Sequence, residues 1–228
     1  MSEPGSRRGR AHDAEGAREA ILNAAEEVFA EHGFDGARID TIAETAGYNK
    51  SLIFHYYGDK LGLYAAVLRR VDQQFAEVQA QVLGPLLSDE SFASNASKLK
   101  TFLETIVQLL FDTLLENRHM GRMLAWEAAE GWQTYRKVAS QFNSEDVQML
   151  RRILRQARDA RLIRPGIEPE LVFSIVFTTC MSYLNSIPLL EMVFDEEDLS
   201  SREILTRARA LISEFVIYGI MIDPQSIQ

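Results

Sequence analysis

From Ala17 onward, apolar side chains recur every three or four residues in segment after segment, and that period constrains the fold more than any other feature of the chain. The first stripe is Ala17, Ala20, Ile21, Ala24, Ala25, Val28 and Phe29, one face of an amphipathic helix. It stops at "EHGF", where Gly33 can supply a left-handed cap. Ile39, Ile42, Ala43 and Ala46 make a shorter second stripe ended by Gly47. Asn49 then offers an N-cap to a third short helix through Tyr57, with Ile53 facing inward, and Gly58 breaks it. Asp59 caps a fourth, longer helix through Leu61, Leu63, Tyr64, Val67, Leu68, Val71 and Phe75 toward Val82, with "GPL" as its stop. Beyond Pro85 helices are expected at 96–117, 119–138, 143–162, 168–192 and 198–221. No stretch alternates polar and apolar residues as a half-buried strand would, so the expected fold is all-α with about nine helices.

The 228 residues suffice for one large domain or two smaller ones. One cysteine, Cys180, excludes an intramolecular disulfide framework and a multi-cysteine zinc site, and it reads as a small buried apolar residue. The N-terminal "MSEPGSRRGRAHDAEG" is polar and basic, unlike a secretory signal, and no run is read as reaching the ~20 apolar residues of a membrane span. A cytoplasmic protein with no membrane partner is expected. Residues 1–15 read as a flexible tail, in which Arg7 to Arg10, "RRGR", admits two readings: an arm in a DNA minor groove, or a solvated tail.

Residues 1–70 hold nine Lys/Arg against eleven Asp/Glu, a net of -2, and residues 71–228 hold fifteen against 22, a net of -7. A generally basic nucleic-acid coat is thereby excluded, and contact with nucleic acid must rest on a local arrangement of charge. Enzyme signatures are missing. There is no phosphate-cradling glycine loop, no "HExxH", no "GxSxG" and no His/Cys cluster, so no catalytic residue, metal ligand or cofactor is expected. The acidic run at 195–198 reads as a solvated loop before a helix.

The second and third helices are short and joined by a tight turn at "AGYN", and Ala43 and Gly47 are small enough to let them cross closely. That is helix-turn-helix spacing, in which the second helix enters the DNA major groove and the flanks grip phosphates. Residues 17–64, with "VFAEHGFDGARIDTIAETAGYNKSLIFHYYGDKLGLY" at their heart, resemble the DNA-binding domain of the TetR family of bacterial transcriptional regulators. The shared order is a late Phe and a Gly-Phe, then "IA" and "AG", then a Lys-containing helix ending in aromatics, then Gly, a small residue and Lys.

The resemblance implies roles for individual residues. Asn49, Lys50, Ser51 and Leu52 open the recognition helix, as candidates for base-edge or nearby phosphate contact. Phe54 and Tyr56 occupy positions from which the family's aromatics reach backbone and bases, and Lys60 resembles its phosphate-binding lysine, helped by the amides of the fourth helix. Leu52 and Phe54 are open between DNA contact and packing. His55 is open between packing and a phosphate hydrogen bond, and it shows no ligand spacing with His12, His32 or His119. Tyr57 reads as core. Many relatives open the second helix with Ser or Thr, whereas this chain has "ARID". Arg38 could replace that hydroxyl with a charged phosphate contact, while Asp40 suits the helix dipole yet would repel a phosphate.

The resemblance further implies a helix-turn-helix domain at 16–64 and a regulatory ligand-binding and dimerisation domain at 65–228. Phe102, Ile106, Met123, Trp126, Phe142 and Phe177 are the candidate pocket residues, of soft and aromatic types that line adaptable pockets and also fill ordinary cores. The segment "PELVFSIVFTTCMSYLNSIPLLEMVF" is apolar almost all round, and the last segment carries a broad stripe including Leu211, Ile212, Phe215 and Val216. Pairing of these last two long helices would build a homodimer with two recognition helices about 34 Å apart. The expected function is a ligand-responsive regulator, a repressor, that binds a palindromic double-stranded operator and is released by a small-molecule effector of unknown identity. Two alternatives stay open: an activator or partner-regulated DNA-binding protein, and a helical small-molecule-binding protein or enzyme with a vestigial DNA-binding motif.

Overall fold

The computed structural model describes residues 5–87, 95–141, 145–195 and 198–222. Among them are ten α-helices: α1 Gly5–Gly36, α2 Ile39–Ala46, α3 Lys50–Tyr57, α4 Lys60–Leu87, α5 Ala96–Glu116, α6 Arg118–Ala129, α7 Gln133–Val138, α8 Glu145–Asp159, α9 Pro169–Phe194 and α10 Arg202–Ile220. A 3-10 turn, Ala139–Gln141, follows α7, and the only extended pairing among these residues is a single bridge between Ile163 and Met221. The all-α expectation holds.

Three boundaries differ from expectation. Helix α1 begins at Gly5, inside the expected tail, because Ala, Arg and Glu there favour helix without an apolar stripe to announce it. Helix α4 continues past Pro85 to Leu87; a proline in the last turn removes only one bond of the ladder. The helix expected at 119–138 is two, because Gly131 and Trp132 both take positive φ and turn the chain between α6 and α7. The caps expected at Asn49 and Asp59 are present, whereas Gly33 has a positive φ with an extended ψ instead of a left-handed cap. Asn49 Oδ1 accepts from Leu52 N at 2.9 Å and Asp59 Oδ1 accepts from Gly62 N at 2.7 Å.

The described residues of Met1–Gln73 and Arg118–Phe142 form one compact unit, and those of Gln74–Asn117 and Asn143–Gln228 form a second. This division departs from domains at 16–64 and 65–228, since the first unit is discontinuous. Its core explains why. The α1 stripe (Ile21, Ala25, Val28, Phe29) meets Ile42, Ile53, Leu63, Tyr64, Val67 and Leu68, and Met123 of α6 and Val138 of α7 complete the same cluster. Burial of side chains of this size stabilises by about 1.5–3 kcal/mol each, so α6 and α7 are structural parts of the unit.

Two polar contacts fix α6 in place. Glu127 is buried, and its carboxylate accepts from Tyr64 Oη at 2.8 Å and from Tyr135 N at 3.0 Å. Trp126 lies against Gly33, where φ is 68° and ψ 179°; a Cβ there would stand 3.1 Å from the indole. Gly33 thus ends the regular part of α1 and leaves room for the ring.

Burial and the bond to Glu127 push the Tyr64 phenol far above its ordinary 10.0, and burial also raises Tyr57 and Tyr135. The folded state keeps protons that the unfolded chain releases, so this stabilisation is complete below pH 10 and is lost as pH rises further. Lys60, whose pKa is lowered by burial, acts in the opposite sense. Stability measured by urea unfolding is expected to fall as pH rises from about 10 upward. Tyr64→Phe should flatten that fall, and an unchanged pH slope in the variant would assign it to other groups.

In the second unit, α5 buries Leu99, Phe102, Leu103, Val107, Phe111 and Leu114 on one face, and packs against α9 and α10. Arg151 and Arg158 of α8 pair with Glu170 and Glu168 at the start of α9, at 2.8 and 2.7 Å. Arg164 closes the far end of α10: Nε donates to Met221 O at 3.1 Å and Nη2 to Tyr218 O at 2.9 Å, a cation on the negative helix terminus. The Cys180 thiol is buried and pushed up to about 11.

Helix α9 corrects one expectation. Its 26 residues contain a window of mean hydropathy 1.4, long and apolar enough by length and composition to cross a membrane, although only 22% of that window is buried. Val172, Val176, Cys180 and Ile187 face inward. Leu171, Phe173, Ile175, Leu189, Met192, Val193 and Phe194 are exposed within this unit, as are Leu211, Phe215 and Tyr218 of α10.

Candidate nucleic-acid interface

The turn between α2 and α3 is closed by Gly47 N donating to Glu44 O at 3.2 Å and Tyr48 N to Ala43 O at 3.0 Å. Asn49 then starts α3 on its own cap, which sets the helix register: Ile53 is fully buried, and Leu52, Tyr56 and Tyr57 pack partly on the core. The same register leaves Asn49, Lys50, Ser51, Phe54 and His55 on the outer face. An exposed phenylalanine, at 44% accessibility, is unusual on an eight-residue helix whose other large apolar groups pack inward.

Several neighbours settle how these side chains are held. Tyr57 Oη donates to Arg18 O at 3.1 Å, which anchors the end of α3 to α1. The Arg18 guanidinium lies 4.8 Å from the centroid of the Tyr56 ring, a cation–π contact that places an α1 cation beside the recognition helix. Lys50 forms an ion pair with Asp40 of α2. Lys60 Nζ donates to Asp35 O at 3.3 Å and stands 4.7 Å over the Phe34 ring; burial lowers its pKa and the nearby Asp35 charge opposes that. Arg38 is the N-cap residue of α2 in extended conformation, with no side-chain cap bond.

The α4 N-terminus carries Asp59 as its cap, so a carboxylate already occupies part of the site where its amides would meet a phosphate. Beside it, Gly58 N donates to Phe54 O and Asp59 N to Tyr57 O, a corner so tight that a Cβ on Gly62 would lie 2.1 Å from Tyr57 O. Arg18 and Phe34 are the members of this surface to which the sequence reading gave no part in it. No local spacing marks them, because each is joined to its partner only by the tertiary fold.

The candidate pocket residues are divided between the two units. Met123 belongs to the core of the first unit and Trp126 to its Gly33 contact, whereas Phe102, Ile106 and Phe177 belong to the second. Phe142 lies outside the described residues. Phe102 is buried among the α5 core positions and Phe177 stacks on Phe173, with ring centroids 6.0 Å apart. A separate cavity of about 400 Å³ lies in the second unit between α5 and α10, lined by Phe111, Leu115 and Leu205 with the Asp112–Arg209 ion pair on its wall.

Residues 21–67 match the family model of bacterial regulatory proteins of the tetR family, and residues 100–216 match that of the tetracyclin repressor-like C-terminal domain. The chain belongs to the TetR family. As a TetR-family protein it is a DNA-binding transcriptional regulator and not an enzyme. It is 25% identical to the transcriptional repressor NicS of Pseudomonas putida over 213 residues, covering 92% of this chain and 95% of NicS. Over 60 residues, 26% of this chain and 31% of its counterpart, it is 50% identical to the repressor SCO4008 of Streptomyces coelicolor. Among solved structures, the regulator SCO4942 of Streptomyces coelicolor shares the fold with a TM-score of 0.60 at 23% identity, over 90% of this chain and 98% of that one.

Proposed function

We propose that this TetR-family regulator is a cytoplasmic repressor that grips a palindromic operator as a homodimer and leaves it when a small-molecule effector occupies the C-terminal unit. The observation that carries the DNA half is the register of α3: Ile53 fully buried, with Lys50, Ser51, Phe54 and His55 presented together on the open face. In this reading Asn49, Lys50 and Ser51 meet base edges or adjacent phosphates. Phe54 and the rim of Tyr56 lie against the groove wall, His55 and Arg38 reach backbone oxygens, and Lys60 holds a phosphate. Leu52 spends most of its surface on the core.

The exposed apolar faces of α9 and α10 support the dimer. Leu211, Phe215 and Tyr218 follow one side of α10 at helical spacing, with accessibilities of 67%, 70% and 70%, an area that a second copy would cover. The same covering accounts for an α9 apolar enough to span a bilayer without assigning it to one. Phe102, Ile106 and Phe177 remain in the C-terminal unit as candidate effector contacts. Shifting the dimer from operator-competent to incompetent requires the effector to favour the second state by roughly 5 kcal/mol.

Selection of bound fragments from genomic DNA, followed by titration over a range of salt, tests the reading. Affinity should fall steeply with salt, and Lys60→Ala should weaken all sequences while reducing the log–log slope by about 0.9. A Lys60 variant with the wild-type slope would remove that residue from the phosphate contacts, and salt-independent binding would remove the duplex as the partner.

A further inference from the structure

Three cations of the proposed DNA face are engaged within the molecule: Arg18 on Tyr56, Lys60 on Phe34 and the Asp35 carbonyl, Lys50 on Asp40. Of these three, Lys50 is the one in a direct ion pair among the described residues. Asp40 stands in the first turn of α2, and Lys50 is the first residue of α3, so the pair joins the leading ends of the two helices that make the DNA-reading corner. A lysine at a helix N-terminus is repelled by the helix dipole, and the Asp40 carboxylate offsets that repulsion. Both side chains are about half open to solvent, at 49% and 61%, so the pair is weak enough to be exchanged for another acceptor.

What replaces Asp40 decides its effect. A phosphate that takes Lys50 must displace the carboxylate and then sit beside it, one negative charge against another. A base-edge acceptor such as guanine O6 or N7 is uncharged and meets no such repulsion. The pair therefore penalises binding in which Lys50 serves as a general phosphate ligand and spares binding in which it reads a base.

We propose that Asp40 is a specificity-determining residue, which holds the Lys50 ammonium in the free protein and suppresses sequence-independent binding to DNA. This rests on the reading that α3 faces the duplex. Sequence discrimination is the ratio of two affinities, and it improves when the wrong partner is made worse. A net charge of -9 opposes sequence-independent attraction to DNA, and Asp40 applies the same effect at the single position where it separates bases from backbone.

The test uses the full-length protein, a random-sequence duplex of about 30 base pairs and a genomic fragment selected by the wild type, each titrated against KCl. Asp40→Asn should tighten binding to the random duplex by about threefold to tenfold at low salt and steepen its salt slope by up to about 0.9. Affinity for the selected fragment should change less than about twofold, so that discrimination falls. Asp40→Glu, which can keep the pair, should behave as wild type. The gain should vanish when Lys50→Ala is added, because no ammonium is left to release.

A gain that persists without Lys50, or no gain from Asp40→Asn, overturns the proposal. If α2 is loosened by losing a first-turn acid, as a lower thermal midpoint would show, Asp40→Ser supplies the same comparison with a residue suited to helix starts, and its failure to relax discrimination overturns the proposal equally. Failure of the underlying reading looks different: Lys50→Ala would then leave binding to the selected fragment unchanged.

Discussion

Gly62→Ala is expected to destabilise the DNA-binding unit by about 3 kcal/mol, against the sign that helix propensity alone would give. Alanine inside a helix is worth up to about 1 kcal/mol over glycine, so at an open position in α4 the change would stabilise. Here the added Cβ would stand 2.1 Å from the Tyr57 carbonyl oxygen, more than an ångström inside ordinary contact. The obstacle is backbone, so no side chain can rotate away. Either the first turn of α4 opens, which loses the Asp59 cap on Gly62 N, or α3 shifts on its Ile53 anchor. At about 4–8 °C per kcal/mol for a unit of this size, thermal unfolding followed by circular dichroism should drop by on the order of 10–20 °C. A midpoint within about 2 °C of the wild type would show that the corner relaxes freely.

The second large effect concerns the α10 face. Leu211→Asp together with Phe215→Asp should leave a folded protomer, because both side chains already face outward in the unit. The proposed dimer should not survive, since two carboxylates per copy would be desolvated in an apolar interface. Sedimentation should report a monomer, and operator affinity should fall by about a hundredfold to ten-thousandfold, the usual advantage of linking two half-sites. A dimer that persists with both substitutions would place the interface elsewhere.

Those two positions differ in how far the sequence disclosed them. The α10 face was legible, because a stripe too broad for one core has to be covered by something, and Leu211 and Phe215 were part of it. The α3 register was legible as well, through the Asn49 cap and the single inward Ile53. The demand at Gly62 was not, since it comes from a carbonyl across a tight corner and leaves no periodic trace. Nor did periodicity reveal where α6 packs. Met123 was read as a soft apolar side chain suited to a pocket or a core, and neither reading says which unit supplies its neighbours. The break at Gly131 and Trp132 escaped for a related reason: one glycine is a common sight within helices, and a tryptophan at φ 60° is set by the fold around it. The Asp40–Lys50 pair joins two different helices, so the usual spacing of ion pairs along one helix could not indicate it.

Engineering intuition treats the head of such a regulator as a cassette, to be cut after the fourth helix begins and grafted onto another sensor. Here the cassette would be incomplete. Its core includes Met123 and Val138, its buried phenol at Tyr64 donates to Glu127, and its Gly33 surface is shaped for Trp126. A hybrid made by joining residues 1–73 to a foreign body inherits a socket without its plug. Transplanted operator specificity should therefore require the 118–142 segment to travel with the head, or a recipient that presents a glutamate and an indole of its own at the matching places.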